Sequence, residues 1–208
     1  VTVFNTGNVP IDPRSGTRAV REVASGRGCV EAWVLQPVHR NASTARMDVD
    51  SVKVQPAAKK ILFVCSGNLC RSVMAEWMFR ALSKRAGLSG IQAASAGLLD
   101  LGGAGADPHA VTILREKGVD ASRHRSRTLT PEMVAAAALV LVMEEAQRDE
   151  VLRRHPGAAD KVRLLKAFSA QGVGDGRDIR DPYGMTPYHY RTCFAEIYFS
   201  LEGLLRCI

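Results

Sequence analysis

Val64-Cys65-Ser66-Gly67-Asn68-Leu69-Cys70-Arg71-Ser72 decides how this chain is read. It follows the apolar run Lys60-Ile61-Leu62-Phe63 and precedes a helical pattern that starts at Val73. A strand therefore feeds a small loop, and the loop feeds a helix N-terminus. Such a junction can ring an oxyanion with backbone N–H groups and add the helix dipole. Arg71, six residues after Cys65, can clamp the same anion with its guanidinium. Gly67 and Asn68 are residue types that accept the left-handed backbone a nest of N–H groups needs. The positive field favours the thiolate, the nucleophilic form of Cys65, and Ser72 is placed to donate a hydrogen bond to it. Cys-x5-Arg alone is a weak pattern, and a buried strand-end cysteine beside a surface arginine is its plain alternative. The loop's place between strand and helix favours a cysteine that takes phosphate onto sulfur.

Outward from the loop, strands and helices alternate. Residues 60–65 read as a buried strand, and 73–85 as a helix with Met74, Trp77, Met78 and Leu82 near one face, stopped by Gly87. Residues 91–95 read as a second strand, 98–107 as a glycine-rich loop and 108–117 as a helix. Thr130-Pro131-Glu132 starts another helix with a hydroxyl cap, a proline and an acid at the positive pole. Leu139-Val140-Leu141-Val142-Met143 is a continuous apolar strand, as a central parallel strand should be. A charged helix over 144–155, a strand or strand plus turn over 162–168 and a last helix over 187–205 complete the pattern. On that last helix Phe194, Tyr198, Leu201 and Leu205 recur at helical steps. The expected fold is three-layer α/β: a four-stranded parallel sheet with helices on both faces. Its binding site lies beyond the carboxyl ends of the strands, where Cys65 sits.

The chain has 208 residues, 46% apolar and 24% charged, as soluble globular proteins do. No apolar run reaches the roughly 18 residues that span a bilayer, and residues 1–10 lack the features of a secretion signal, so a cytoplasmic protein without membrane contact is expected. Residues 1–58 mix Gly, Pro, Ser, Thr and Arg with little periodicity, apart from a short strand pattern at Val30–Leu35. They read as a poorly structured extension joined at Pro56-Ala57-Ala58 to a domain over 59–208, and the native domain is expected to begin near Met47. Five cysteines, Cys29, Cys65, Cys70, Cys193 and Cys207, have no zinc spacing and read as free thiols, with Cys193 and Cys207 as small core residues. The net charge of +7 raises nucleic acid as a partner, with Arg123-His124-Arg125-Ser126-Arg127 as the best patch. No aromatic RNA-binding motif accompanies it. A solvated loop, or steering of an anionic substrate, accounts for the run equally well, and no nucleic-acid partner is expected.

Together with Asp181-Pro182-Tyr183-Gly184 near the C-terminus, the loop resembles that of the low-molecular-weight protein-tyrosine phosphatases. Ser95-Ala96-Gly97 and His124–Arg127 agree as intermediate landmarks, and the resemblance runs from about Lys59 to Ile208. It implies that Cys65 attacks phosphorus and forms a phosphocysteine, while Arg71 and the backbone N–H groups of Ser66, Gly67, Asn68, Leu69, Cys70 and Ser72 bind the phosphate. Asp181 would protonate the leaving oxygen and then activate water; Asp175 and Asp178 are its neighbours and rivals. Tyr183 would wall the cleft, and Asn68, Ser72, Ser95 and His124 would form a network that holds the loop. Cys70 would guard Cys65 through a reversible disulfide. No cofactor and no metal are implied, the partner is a phosphorylated protein, and a monomer or weak dimer is expected.

Two departures matter. Val73 stands where the family usually has proline, a small loss of rigidity. Leu69 stands where bacterial phosphoarginine phosphatases carry threonine. A branched aliphatic wall packs against an aromatic ring and offers no polar contact to a guanidinium, which favours phosphotyrosine over phosphoarginine. Arsenate reductases share the fold but need mid-domain cysteines, and none lies between Cys70 and Cys193. A phosphocysteine phosphocarrier and a phosphate-binding module are the remaining alternatives; the first needs no general acid, the second no Cys65 thiol.

Overall fold

Four short strands pair side by side in one parallel sheet. The computed structural model describes residues 17–21, 33–37, 60–88, 90–169 and 177–208. The chain divides into two units, Val1–Arg46 and Met47–Ile208. In the first, β1 (Thr17–Arg21) pairs antiparallel with β2 (Trp33–Pro37), which overlaps the strand pattern read at Val30–Leu35. Cys29 and the joint at Pro56-Ala57-Ala58 lie outside the described residues.

The second unit runs β3 (Lys60–Cys65), α1 (Arg71–Arg85), β4 (Gln92–Gly97), α2 (Pro108–Glu116), α3 (Pro131–Ala136), β5 (Leu139–Val142), α4 (Glu145–Arg154), β6 (Val162–Leu164) and α5 (Pro187–Arg206). The strand order is β4-β3-β5-β6, all parallel. Alternate residues of the central strands enter two different cores. Ile61, Phe63, Leu139 and Leu141 pack with buried residues of α1, α2 and α5; Leu62, Val64, Val140 and Val142 pack with Val134 of α3 and Val151 of α4. Both faces are dry, which is why these strands read as unbroken apolar runs. The expected three-layer fold is the one observed.

Local signals set several boundaries. The Thr130 hydroxyl accepts a hydrogen bond from Met133 N at 3.3 Å and caps α3. The strand expected over 162–168 lasts three residues and then tightens into a 3-10 turn, Leu165–Phe168. On α5 the deepest stripe is Tyr190, Cys193, Ile197, Leu201 and Leu204, whereas Tyr198 and Leu205 are only partly buried. The helix packs against α1, α2 and the 165–168 turn, so its buried face is wider than one apolar repeat suggests. Cys193 is a core residue as expected; Cys207 is exposed, because α5 ends at Arg206 and releases it. No helix among the described residues is long and apolar enough to cross a membrane.

Candidate active site

β3 ends at Cys65, and residues 66–70 turn the chain into α1. The helix starts at Arg71, two residues before the expected Val73, so Arg71 and Ser72 belong to its first turn. Cys70 at the N-cap makes no side-chain cap, and the first turn contains no acid. The N–H groups of this terminus are thus left to an outside acceptor.

The backbone of the loop is shaped by two separate demands. Asn68 takes the left-handed conformation, with φ of 55°, and is the one non-glycine residue to do so among those described. Gly67, expected to share that role, is not in the left-handed region, and a Cβ there would meet only the end of the exposed Leu101 side chain, at 2.8 Å. Gly97, opposite Cys65 in the sheet register, is the glycine required for space, because its neighbours are backbone. A Cβ there would meet Gly67 C and Ser66 O at 3.0 Å and Asn68 N at 3.1 Å. Gly97→Ala should therefore displace the loop by a few tenths of an ångström. We expect about a tenfold loss in kcat/KM and roughly 1–2 kcal/mol of stability, measurable by kinetics and thermal melts; wild-type kinetics would show that the loop yields freely.

Cys65 is buried, and its Sγ lies 3.0 Å from Ser72 Oγ. Asn68 Nδ2 donates to Ser72 Oγ at 2.9 Å and to Ser95 Oγ at 2.8 Å. His124 Nε2 donates to Asn68 O at 3.0 Å. Burial holds the His124 imidazole below its ordinary range, against the opposite pull of that carbonyl, so the ring is neutral near pH 7. The structure thus brings Asn68, Ser72, Ser95 and His124, the residues expected to hold the loop, into one hydrogen-bonded group. Within the basic run, His124 and Ser126 are buried and Arg123, Arg125 and Arg127 exposed, although Arg127 Nε reaches back to donate to Ser95 O at 2.7 Å.

Arg71 is the largest fully buried side chain of the described residues, at 1% exposure. Its Nη1 donates to Ile179 O at 2.9 Å and pairs with Glu144 at 3.0 Å. Its Nη2 pairs with Asp181 at 2.6 Å and reaches Ser66 Oγ at 3.5 Å. Burial works against its charge, but Cys65, Asp181 and Glu144 outweigh burial and raise the guanidinium above its ordinary range. Among the described residues its Nε, buried as well, has no hydrogen-bond partner. Asp178 instead accepts from Glu145 N at 2.9 Å at the start of α4 and is spent there; Asp175 lies outside the described residues. Tyr183, 63% exposed, donates its N–H to Asp181 Oδ1 at 3.2 Å. Exposed Leu99, whose N–H bonds Ser66 O at 2.9 Å, and Leu101 add apolar surface beside the loop, next to half-buried Leu69.

Cys70 Sγ lies 3.7 Å from Tyr190 Oη. Burial pushes this thiol up to about 12, against the weaker downward pull of the tyrosine bond. Sequence reading missed Glu76, Glu144, Gln147 and Tyr190, and placed Arg127 only within the basic run. Gln147 holds Glu144 at 2.7 Å and accepts from Met143 N at 3.0 Å. Glu144 directly follows the apolar end of a central strand, which could have marked it; Glu76 is an acid inside the apolar run Val73–Phe79. Among the described residues no group of three or more His, Cys, Asp or Glu side chains is arranged to hold a metal ion.

A family model described as low molecular weight phosphotyrosine protein phosphatase matches residues 60–208. The chain is 42% identical over 125 residues to a probable low molecular weight protein-tyrosine-phosphatase, EpsP, of Ralstonia nicotianae, across 60% of this chain and 79% of that protein. It is 40% identical over 145 residues to a protein-arginine-phosphatase of Geobacillus stearothermophilus, across 70% of this chain and 93% of that one. A solved structure of the YwlE arginine phosphatase, a mutant with a phosphorylated active-site serine, matches with a TM-score of 0.65 at 34% identity, across 71% of this chain and 93% of its own. The match spans the entire parallel sheet and most of each relative's length, and the chain therefore belongs to the low molecular weight protein-tyrosine phosphatase family.

Proposed function

We propose that this enzyme removes phosphate from phosphotyrosine in proteins through a phosphocysteine intermediate, without a metal ion. Arg71 carries the reading: a buried guanidinium between the loop and Asp181, with Nε unpartnered among the described residues. A phosphate seated over the loop would take up that N–H and the amides of residues 66–72. The Cys65 thiolate attacks phosphorus in line with the leaving oxygen, and the S–P bond forms as the P–O bond breaks. Arg71 and the amides spread positive charge over the equatorial oxygens, the role a metal would otherwise fill. Asp181 gives its proton to the departing phenolate. It then takes a proton from the water that breaks the S–P bond, releasing inorganic phosphate and restoring Cys65. Substrate phosphate competes for Arg71 and so frees Asp181 from its present ion pair. The phosphorylated active-site serine of the YwlE mutant supports a phosphate-carrying side chain at this loop position.

Asp181→Ala tests the acid. We expect turnover to fall roughly 10²–10⁴-fold and phosphate to accumulate on Cys65 in rapid-quench experiments. Unchanged decay of the phosphocysteine would make the protein a carrier instead.

Leu69, Leu99, Leu101 and Tyr183 line the approach with apolar groups that suit an aromatic ring. A protein-arginine phosphatase is the second reading, supported by the nearly equal identity to the Geobacillus enzyme. Phosphotyrosine and phosphoarginine peptides assayed side by side with chelator present decide between them. We expect kcat/KM for phosphotyrosine to be higher by roughly tenfold or more. The reverse ratio would reassign the substrate, and hydrolysis of neither would end the phosphatase reading.

Residues 59–208 would carry this activity alone, as a monomer or weak dimer acting on phosphorylated proteins and not on nucleic acid. Free thiols suit the cytoplasm as the compartment. Cys70 would guard Cys65 by a disulfide, at a rate limited by its burial and its bond to Tyr190.

A further inference from the structure

A crevice of about 380 Å³ opens between α1, α2 and α5, away from the catalytic loop. Buried Met78, Ile113 and Phe194 form its floor, and partly buried Tyr198 and Phe199 form a wall. The Tyr198 ring centre lies 6.2 Å from that of Phe194 and 6.0 Å from that of Phe199, which it meets edge-on. Rings and a thioether are good neighbours for another aromatic group. An apolar cavity of about 150 Å³ holds one benzene ring, so this crevice has room for a fused pair.

The charged groups of the lining are Arg85, Lys117, Arg191 and Glu116. Two of them satisfy each other: Arg191 donates to both Glu116 oxygens, at 2.7 and 2.9 Å, and ties α5 to the end of α2. The side chains of Arg85 and Lys117 have no hydrogen bond or ion pair among the described residues. Outside the lining, Glu202 is the hydrogen-bond partner of the Tyr198 hydroxyl, and the cations remain in excess. The rim therefore calls for an anion. α1 ends at Arg85 and α2 at Glu116, so carbonyl ends and not N–H groups surround the rim. That suits a single negative charge and disfavours a phosphoryl dianion, which needs a nest of N–H groups. The large exposed apolar side chains of the described residues, Leu99, Leu101, Tyr183, Met185 and Tyr188, line other surfaces. A protein partner needs a broad apolar patch; a recess of this kind admits one group.

We propose that the crevice is a binding site for a small aromatic carboxylate, its rings on Met78, Ile113 and Phe194 and its charge toward Arg85 and Lys117. The site is separate from the phosphate loop, because Arg71 opens the helix that Arg85 closes, about 20 Å away along the axis.

Titration of the full chain with 2-naphthoate, followed by NMR of methyl-labelled methionines, tests this without an activity assay; Met78→Leu assigns the Met78 signal. We expect that signal to shift with a Kd of about 1 mM or tighter, unchanged by saturating inorganic phosphate. Uncharged 2-naphthamide should bind about fivefold more weakly, and 2-naphthylmethylammonium more weakly still. Arg85→Gln with Lys117→Gln, both exposed positions, should remove the advantage of the acid over the amide. Ala195→Leu fills the crevice from α5 with a good helix former and should weaken both by roughly tenfold or more. An unmoved Met78 signal, or equal binding of acid and amide to the wild type, overturns the proposal. Displacement by phosphate overturns it by placing the ligand on the catalytic loop, and unchanged affinity in Ala195→Leu by placing it elsewhere. A dimer in sedimentation that Ala195→Leu abolishes would overturn it in favour of a second copy of the chain as the occupant.

Discussion

Cys65→Ser is expected to lower kcat by roughly 10⁴–10⁶-fold while inorganic phosphate still binds, as tightly as before or more so. The two halves of this result have separate causes. The phosphate is held by loop amides and by Arg71, none of which the substitution touches. Removing a thiolate also removes a negative charge that repels the phosphate dianion, so affinity has no reason to fall. The chemistry fails because a serine hydroxyl stays protonated and needs a base. Among the described residues the side chain hydrogen-bonded to Cys65 is Ser72, a donor, at 3.0 Å. Arg71 beyond it is a cation. Steady-state kinetics and product inhibition by phosphate measure the two halves. Activity above about 1% of wild type would refute a sulfur nucleophile, and lost phosphate binding would mean that the loop itself had rearranged.

What the sequence revealed follows from how local each feature is. Cys65, Asn68, Arg71 and Ser72 lie within eight consecutive residues, and a strand–loop–helix junction is built from neighbours, so their convergence was legible. The two-sided core was legible as well, because β3 after Lys60 and all of β5 are apolar at every position, which only a doubly covered parallel sheet rewards. Asp181 was different: Asp-Pro is a common turn, and only the family resemblance selected it over Asp178, which turns out to serve the start of α4. Glu144 was not singled out, and Arg127 was named only within the basic run. Their partners, Arg71 and Asn68, are far away in sequence and meet them only where the carboxyl ends of the strands converge. Gly67 was expected in the left-handed region and is not there, since Asn68 takes that conformation in the loop. The short β6 and the broad buried face of α5 share one cause: both depend on which neighbours pack there, and periodicity does not report neighbours.

Arg71→Lys keeps the charge and is nonetheless expected to lower kcat/KM by roughly 10³–10⁵-fold. Arg71 does several things at once in a space that leaves it 1% exposed. One terminal nitrogen bridges Glu144 and the Ile179 carbonyl, while Nε and the terminal nitrogen that now meets Asp181 are the ones a phosphate would claim. A planar guanidinium can do this because its five N–H vectors diverge in a fixed fork. A lysine ammonium carries three hydrogens on one atom. If it reaches Glu144 and Ile179 O it turns away from the loop, and if it turns to the phosphate it leaves a buried acceptor unsatisfied. The second arrangement costs about 1–3 kcal/mol, so folded stability and transition-state binding become alternatives instead of being met together. We therefore expect kcat to fall and KM to rise, with a modest drop in Tm. A variant within tenfold of wild type would mean that a point charge suffices and that the fork geometry contributes nothing to the reaction. Because Glu144 fixes the orientation of Arg71 from the end of β5, Glu144→Gln in the same assay should show a smaller loss of the same kind, carried by the arginine's loosened aim and not by its charge.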